Sequence, residues 1–176
     1  MFLRPEIARA NSAKNEQRSK MRAVYIDTEF TQLNMTRQLI SLALVSNTGL
    51  EFYVEITDSW STDECSDFVK EVVLPQLDLN KFGLPTSQAR TALKVFLATL
   101  GAVEIIGDAL AWDWPLFLEL LGPEGLPKNI AGCREINPET LELTTNMEHL
   151  LADAPHHALL DARILCAIYE AAQNRP

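Results

Sequence analysis

Apolar and polar positions along this chain fall into blocks of different period, and the periods predict the elements. From Arg22 to Ile26 an apolar run places Val24 and Ile26 in alternation with Tyr25 and Asp27, the two-residue period of a strand rich in β-branched and aromatic side chains. Gln38 to Ser46 is apolar on both faces, which predicts a central strand, and Asn47-Thr48-Gly49 supplies a turn after it. Leu50 to Ile56 alternates, with Leu50, Phe52, Val54 and Ile56 on one face. Three strands joined by short turns predict an antiparallel meander.

Helical spacing follows. Ser61-Thr62-Asp63-Glu64 reads as a capping box, and Cys65, Phe68, Val69, Val72 and Val73 continue as a buried helix face until Pro75. Thr86-Ser87 caps a second helix that buries Ala89, Leu93, Phe96, Leu97 and Leu100 and closes at Gly101. Val103 to Ile106 is short and β-rich, and Trp114 to Leu121 predicts a third helix with Pro115 in its first turn. Residues 122–155 are punctuated by Pro and Gly, with a candidate fifth strand over Asn129–Ile136. Ala158 to Ala172 closes the pattern as an amphipathic helix. The order predicts an α/β fold: a mixed β-sheet, three antiparallel strands plus parallel ones, flanked by helices.

Composition narrows the class. At 176 residues the chain is expected to form a single domain over 21–176, behind a disordered basic leader at 1–20. The leader has no apolar core of a secretion signal, and Glu6 and Glu16 count against a transit peptide. No apolar run approaches the roughly 20 residues that span a bilayer. Cys65, Cys133 and Cys166 are odd in number and lack C-x-x-C spacing, which suits reduced thiols in a cytoplasm. Net charge is −9, but positions 1–22 hold six basic and two acidic residues, so the body stands at −13. A broad basic face for nucleic acid is thereby excluded, and any such role must be local, with metal ions supplying positive charge. Lys128, Arg134 and Arg163 are the candidate basic contacts.

Three stretches carry candidate chemistry. Asp27-Thr28-Glu29 places two carboxylates two residues apart on a strand, on the same face, where hard oxygen ligands suit magnesium or manganese. Trp112-Asp113 sets an aspartate at a helix start, where it would also serve as an N-cap. His156-His157-Ala158-Leu159-Leu160-Asp161 offers His157 and Asp161 at i, i+4 on a helix face, or His156 just ahead of the helix.

Taken together, and in this order, these stretches resemble the DEDDh 3′–5′ exonucleases, a family with a ribonuclease H-like fold. Asp27 and Glu29 match its D-x-E motif, Trp112-Asp113 its aromatic-aspartate motif, and His156 with Asp161 its H-x-x-x-x-D motif. The run Tyr25 to Phe30 most resembles the small bacterial exoribonucleases of the ribonuclease AS type. Two positions depart from the family. Asp108 or Ala109 stands where many members have Asn, and Phe30-Thr31-Gln32-Leu33 replaces a Thr-Gly pair. Asp108 is a rival to Asp113 as the third carboxylate.

The resemblance implies hydrolysis of phosphodiester bonds at single-stranded 3′ ends. Asp27, Glu29, Asp113 and Asp161 would hold two divalent cations, Mg2+ or Mn2+. His156 would act as general base, for which an imidazole's ordinary pKa of about 6.5 is suited. Thr28, Phe30, Leu33 and Trp112 would touch the substrate. RNA is the favoured partner. A DNA exonuclease and a non-catalytic binding domain of the same fold are the alternatives, and a homodimer is compatible with the family.

Overall fold

The computed structural model describes residues 21–141 and 143–173; the expected leader lies outside them. Six strands among these residues make one sheet in the order β4-β3-β2-β1-β5-β6. They are β1 (Arg22–Phe30), β2 (Leu39–Ser46), β3 (Glu51–Ile56), β4 (Gly83–Leu84), β5 (Val103–Gly107) and β6 (Ile130–Glu135). The meander β1-β2-β3 is antiparallel as its short turns require, whereas β5 joins β1, and β6 joins β5, in parallel. The result is an α/β fold with a ribonuclease H-like mixed sheet.

Helices cover both faces. On one, α2 (Thr86–Thr99) and α3 (Leu110–Leu121) bury Ala89, Leu93, Leu97, Phe117 and Leu120 against Val24, Ile26, Leu42, Leu44 and Ile105. The opposite face receives α5 (Ala158–Gln173), whose Leu165 packs near Tyr25 and Ile106. At the start of α5, Ala158 and Ala162 lie on Ala43 and Val45. Small side chains at that contact let the helix backbone approach the sheet closely, which later decides where Asp161 lies. No helix among the described residues is long and apolar enough to cross a membrane.

Several elements differ from the pattern reading. The capping box is real, with the Glu64 carboxylate accepting from the Ser61 N–H at 2.7 Å and its Oγ at 2.8 Å, but it closes only a 3-10 turn over Thr62–Glu64. The helix expected next widens into a π-helix at Val69–Val73 and tightens again at Leu74–Gln76, around Pro75. This irregular winding turns Phe68 outward, and it is 50% exposed rather than part of a buried face. Helix α3 begins at Leu110, four residues ahead of the expected start, so Pro115 lies inside it and Asp113 is not an N-cap. The short elements α1 (Leu79–Phe82), β4 and α4 (Thr145–Ala152) were absent from the pattern.

Gly107 is the hinge between β5 and α3. A Cβ there would sit 2.7 Å from Leu110 Cδ2 and 3.1 Å from Ile26 Cγ2, so a bare backbone is what lets the helix turn back tightly onto β1. Phe117, fully buried in the core beneath β1, anchors that return. Phe117→Ala should lower unfolding free energy by about 3–5 kcal/mol in urea titrations, the usual loss for an emptied aromatic site.

Candidate active site

The pleat of β1 sorts its side chains. Val24 and Ile26 enter the core under α2 and α3, while Tyr25 faces α5. Asp27 and Glu29 therefore share the α5 face, near the end of the strand. A register irregularity between Glu29 and Phe30 ends the regular pairing with β2 and re-aims Phe30.

Four elements bring carboxylates to this corner. Ligand oxygens of Asp27, Glu29 and Asp161 all lie within 4.8 Å of one another, as do those of Asp27, Asp108 and Asp113. Asp27 belongs to both groups. Asp161 arrives on the first turn of α5, where its Oδ2 accepts from the His157 N–H at 3.0 Å. Asp113 comes from α3 and is 2% exposed; its Oδ1 accepts the Thr28 hydroxyl at 2.6 Å. Asp113 Oδ2 and Asp161 Oδ1 are buried without a hydrogen-bond partner. Unpartnered buried anionic oxygens in an all-carboxylate donor set fit hard divalent cations such as Mg2+ or Mn2+.

The two histidines part company here. His156 adopts φ 55 and stands in a cavity of about 410 Å³ with Asp27, Glu29, Phe30, Leu33 and Asp161. Its ring meets Phe68 edge-on at 4.9 Å, and the Gln76 side-chain amide donates to the carbonyls of Pro155 at 2.7 Å and His156 at 3.2 Å. His157 instead stacks on Tyr53 at 5.0 Å, with a buried Nδ1. Leu33 is 74% exposed at the cavity rim. Thr28 lines the cavity while holding Asp113. Trp112 stacks on Phe30 at 5.9 Å and carries the Arg37 guanidinium 4.8 Å from its ring centroid, outside the cavity lining.

Sequence reasoning missed Phe68, Gln76 and Arg37. Phe68 was assigned to the core by its spacing, and neither polar residue belongs to a periodic or motif signal. Two of the basic residues expected to meet nucleic acid are already engaged: Arg134 with Glu104 at 3.0 Å and Arg163 with Glu51 at 2.6 Å.

Burial first, and crowding after it, raises the carboxylates together. Burial pushes Asp27 well above the ordinary range, and Asp113, Glu29, Asp161 and Asp108 add to it. Glu29 is pushed up to about 8 by burial and by the charges of Asp161 and Asp113. For Asp113 burial raises the value to about 7, against the lowering pull of the Thr28 hydrogen bond. Asp161 is also raised, chiefly by burial, with the His157 N–H opposing.

The same architecture is known from solved structures. No family model matches the sequence, and no curated protein is significantly similar to it. In structure, the chain resembles Pop2p of S. pombe in a Mg2+- and Mn2+-bound form, with TM-score 0.61 and 13% identity over 97% of this chain and 90% of that one. It also resembles exonuclease I of Methylocaldum szegediense, with TM-score 0.60 and 14% identity, covering 88% of this chain and 41% of the larger protein. A third is a 3′-exonuclease that recognises the histone mRNA stem-loop, with TM-score 0.56 and 14% identity over 96% of this chain and 71% of that one. At these identities the likeness establishes a shared fold.

Raised carboxylate pKa values have a definite consequence for stability. Unfolded carboxylates titrate near pH 4, so between about pH 4 and 8 the metal-free folded chain binds more protons than the unfolded one. Stability must therefore fall as pH rises through that window. Thermal melts in chelator should show Tm dropping from pH 5 to pH 8, with Mg2+ or Mn2+ removing most of the drop and Asp27→Asn flattening it. A Tm that rises across the window would contradict the repulsion.

Proposed function

We propose that this chain is a divalent-metal-dependent 3′–5′ exonuclease acting on single-stranded 3′ ends, with RNA as its preferred substrate. The observation that carries this reading is the pair of carboxylate groups sharing Asp27, with buried oxygens of Asp113 and Asp161 left without donors. The fold shared with 3′-exonucleases supports the reaction class, and the histone-mRNA exonuclease among those structures supports RNA.

Asp27, Glu29, Asp113 and Asp161 would hold two cations, Mg2+ or Mn2+. When bound, such ions acidify a water and stabilise charge on the transferring phosphate. His156, beside Glu29 and Asp161 in the cavity, takes the proton from the attacking water. Phe68 and Gln76 hold that histidine over the cavity from two sides. Phe30 and Leu33 offer apolar surface to the terminal bases, each contact contributing about 1–3 kcal/mol by analogy with single-strand binders. Thr28 fixes Asp113, so its effect on substrate is indirect. Trp112, which carries the Arg37 guanidinium over its ring, supports Phe30 by stacking on it.

Matched 5′-labelled RNA and DNA oligonucleotides, digested side by side, test the proposal. RNA should shorten stepwise from its 3′ end, DNA more slowly, and excess chelator should stop both. Asp27→Ala and Asp161→Ala should be inactive. His156→Ala should lose about 10²- to 10⁴-fold in rate, the range for a general base, with His157→Ala far milder. Faster digestion of DNA would replace the RNA reading with a DNA exonuclease. Tight binding without hydrolysis would indicate a non-catalytic module, and full activity in chelator would exclude the metal-dependent chemistry.

A further inference from the structure

Asp108 does not belong to the set of four acids carried by the motifs, yet the fold delivers it to the same corner. In the parallel pair of β1 and β5, Tyr25 stands level with Ile106. Asp108 follows directly on the last residue of β5, Gly107, and so emerges beside the end of β1 that carries Asp27. The oxygens of Asp27, Asp108 and Asp113 lie within 4.8 Å of one another, so Asp108 and Asp113 are not rivals for one position but members of one group. A second observation points to a ligand there. Asp113 is 2% exposed, its Oδ1 is occupied by Thr28, and its Oδ2 has no partner among protein groups. A buried carboxylate oxygen in that condition needs a cation or an ordered water.

We infer that Asp108 is a fifth metal-binding carboxylate. With Asp27 and Asp113 it forms its own divalent-cation position, next to the one formed by Asp27, Glu29 and Asp161. The inference rests on the metal-dependent reading above and deepens it. Four carboxylates balance two dications, whereas five leave one negative charge in excess. Asp108 thus strengthens cation binding while making the site less receptive to a phosphate. Asp108 is exposed and lines an adjoining groove together with Glu148. The all-oxygen donor set selects hard ions of the magnesium and manganese kind over softer metals.

Mn2+ binding to the full chain, measured by the electron paramagnetic resonance signal of free Mn2+ without nucleic acid, tests this. Three proteins are compared: wild type, Asp108→Asn and Glu148→Gln. Asparagine keeps the size and one oxygen of Asp108 and removes its charge; Glu148→Gln removes a neighbouring exposed charge outside the group. Wild type should bind two ions. Asp108→Asn should weaken one of them by at least the roughly 10- to 100-fold that loss of even an indirect partner causes, leaving the other unchanged. Glu148→Gln should match wild type. Two ions bound by Asp108→Asn at wild-type affinity would overturn the inference, as would an equal loss in Glu148→Gln, which would assign the effect to diffuse charge. A wild type that binds one ion, unaffected by Asp108→Asn, would overturn the inference and leave metal dependence standing. No Mn2+ binding by wild type would overturn both.

Discussion

Mutual repulsion among five carboxylates is the constraint around which this molecule is arranged. Among the described residues no lysine or arginine forms an ion pair with Asp27, Glu29, Asp108, Asp113 or Asp161. Burial withholds from Asp27, Glu29 and Asp113 the solvent that would otherwise screen them, and the neighbouring charges raise them further. A fold that gathers such groups without a direct ion pair is destabilised locally and must hold them by other means. Divalent cations would relieve the conflict, and under the proposed function the folded state and the chemistry depend on the same ions.

The means of holding them are visible in the packing. Strand β1 has neighbours on both sides, and its core side chains Val24 and Ile26 are completely buried. Alanines at positions 43, 158 and 162 let α5 lie close enough for Asp161 to reach Asp27 and Glu29. Gly107 lets α3 fold back so that Asp113 reaches the far side of the same strand end, where Thr28 locks it. Each carboxylate thus stands on an element fixed by apolar contacts elsewhere. Rigid elements are also what a metal centre requires, because the ligands must keep their places when the ion leaves.

Much of this was legible in the residues. Strands β1, β2, β3 and β5 were foreseen from period and β-branched content, since the faces of a sheet leave an apolar trace, whereas β6 was only a candidate within Asn129–Ile136. The D-x-E triplet and the H-x-x-x-x-D spacing pointed to the corner where the structure brings Asp27, Glu29, His156 and Asp161 together. Other features had no sequence signal to find. β4 is two residues long and exists only through its pairing with β3, Gly83 beside Glu55 and Leu84 beside Ile56, with the Thr57 N–H donating to the Leu84 carbonyl at 3.1 Å. The π-helical turn at Val69–Val73 keeps an apolar spacing that reads as an ordinary helix, yet its wider winding moves Phe68 to the cavity wall. Asp108 meets Asp27 because the parallel pairing of β1 with β5, two strands distant in sequence, brings their ends together, and such pairing is a tertiary property.

Crystals soaked in Mn2+ and measured for anomalous scattering would show directly whether this corner is a metal centre. Two peaks should flank Asp27, one within coordination distance of Glu29 and Asp161 and the other beside Asp113 and Asp108. Well-ordered carboxylates with no anomalous density around Asp27, at Mn2+ concentrations that support hydrolysis in solution, would contradict the metal site and require another explanation for the gathered acids.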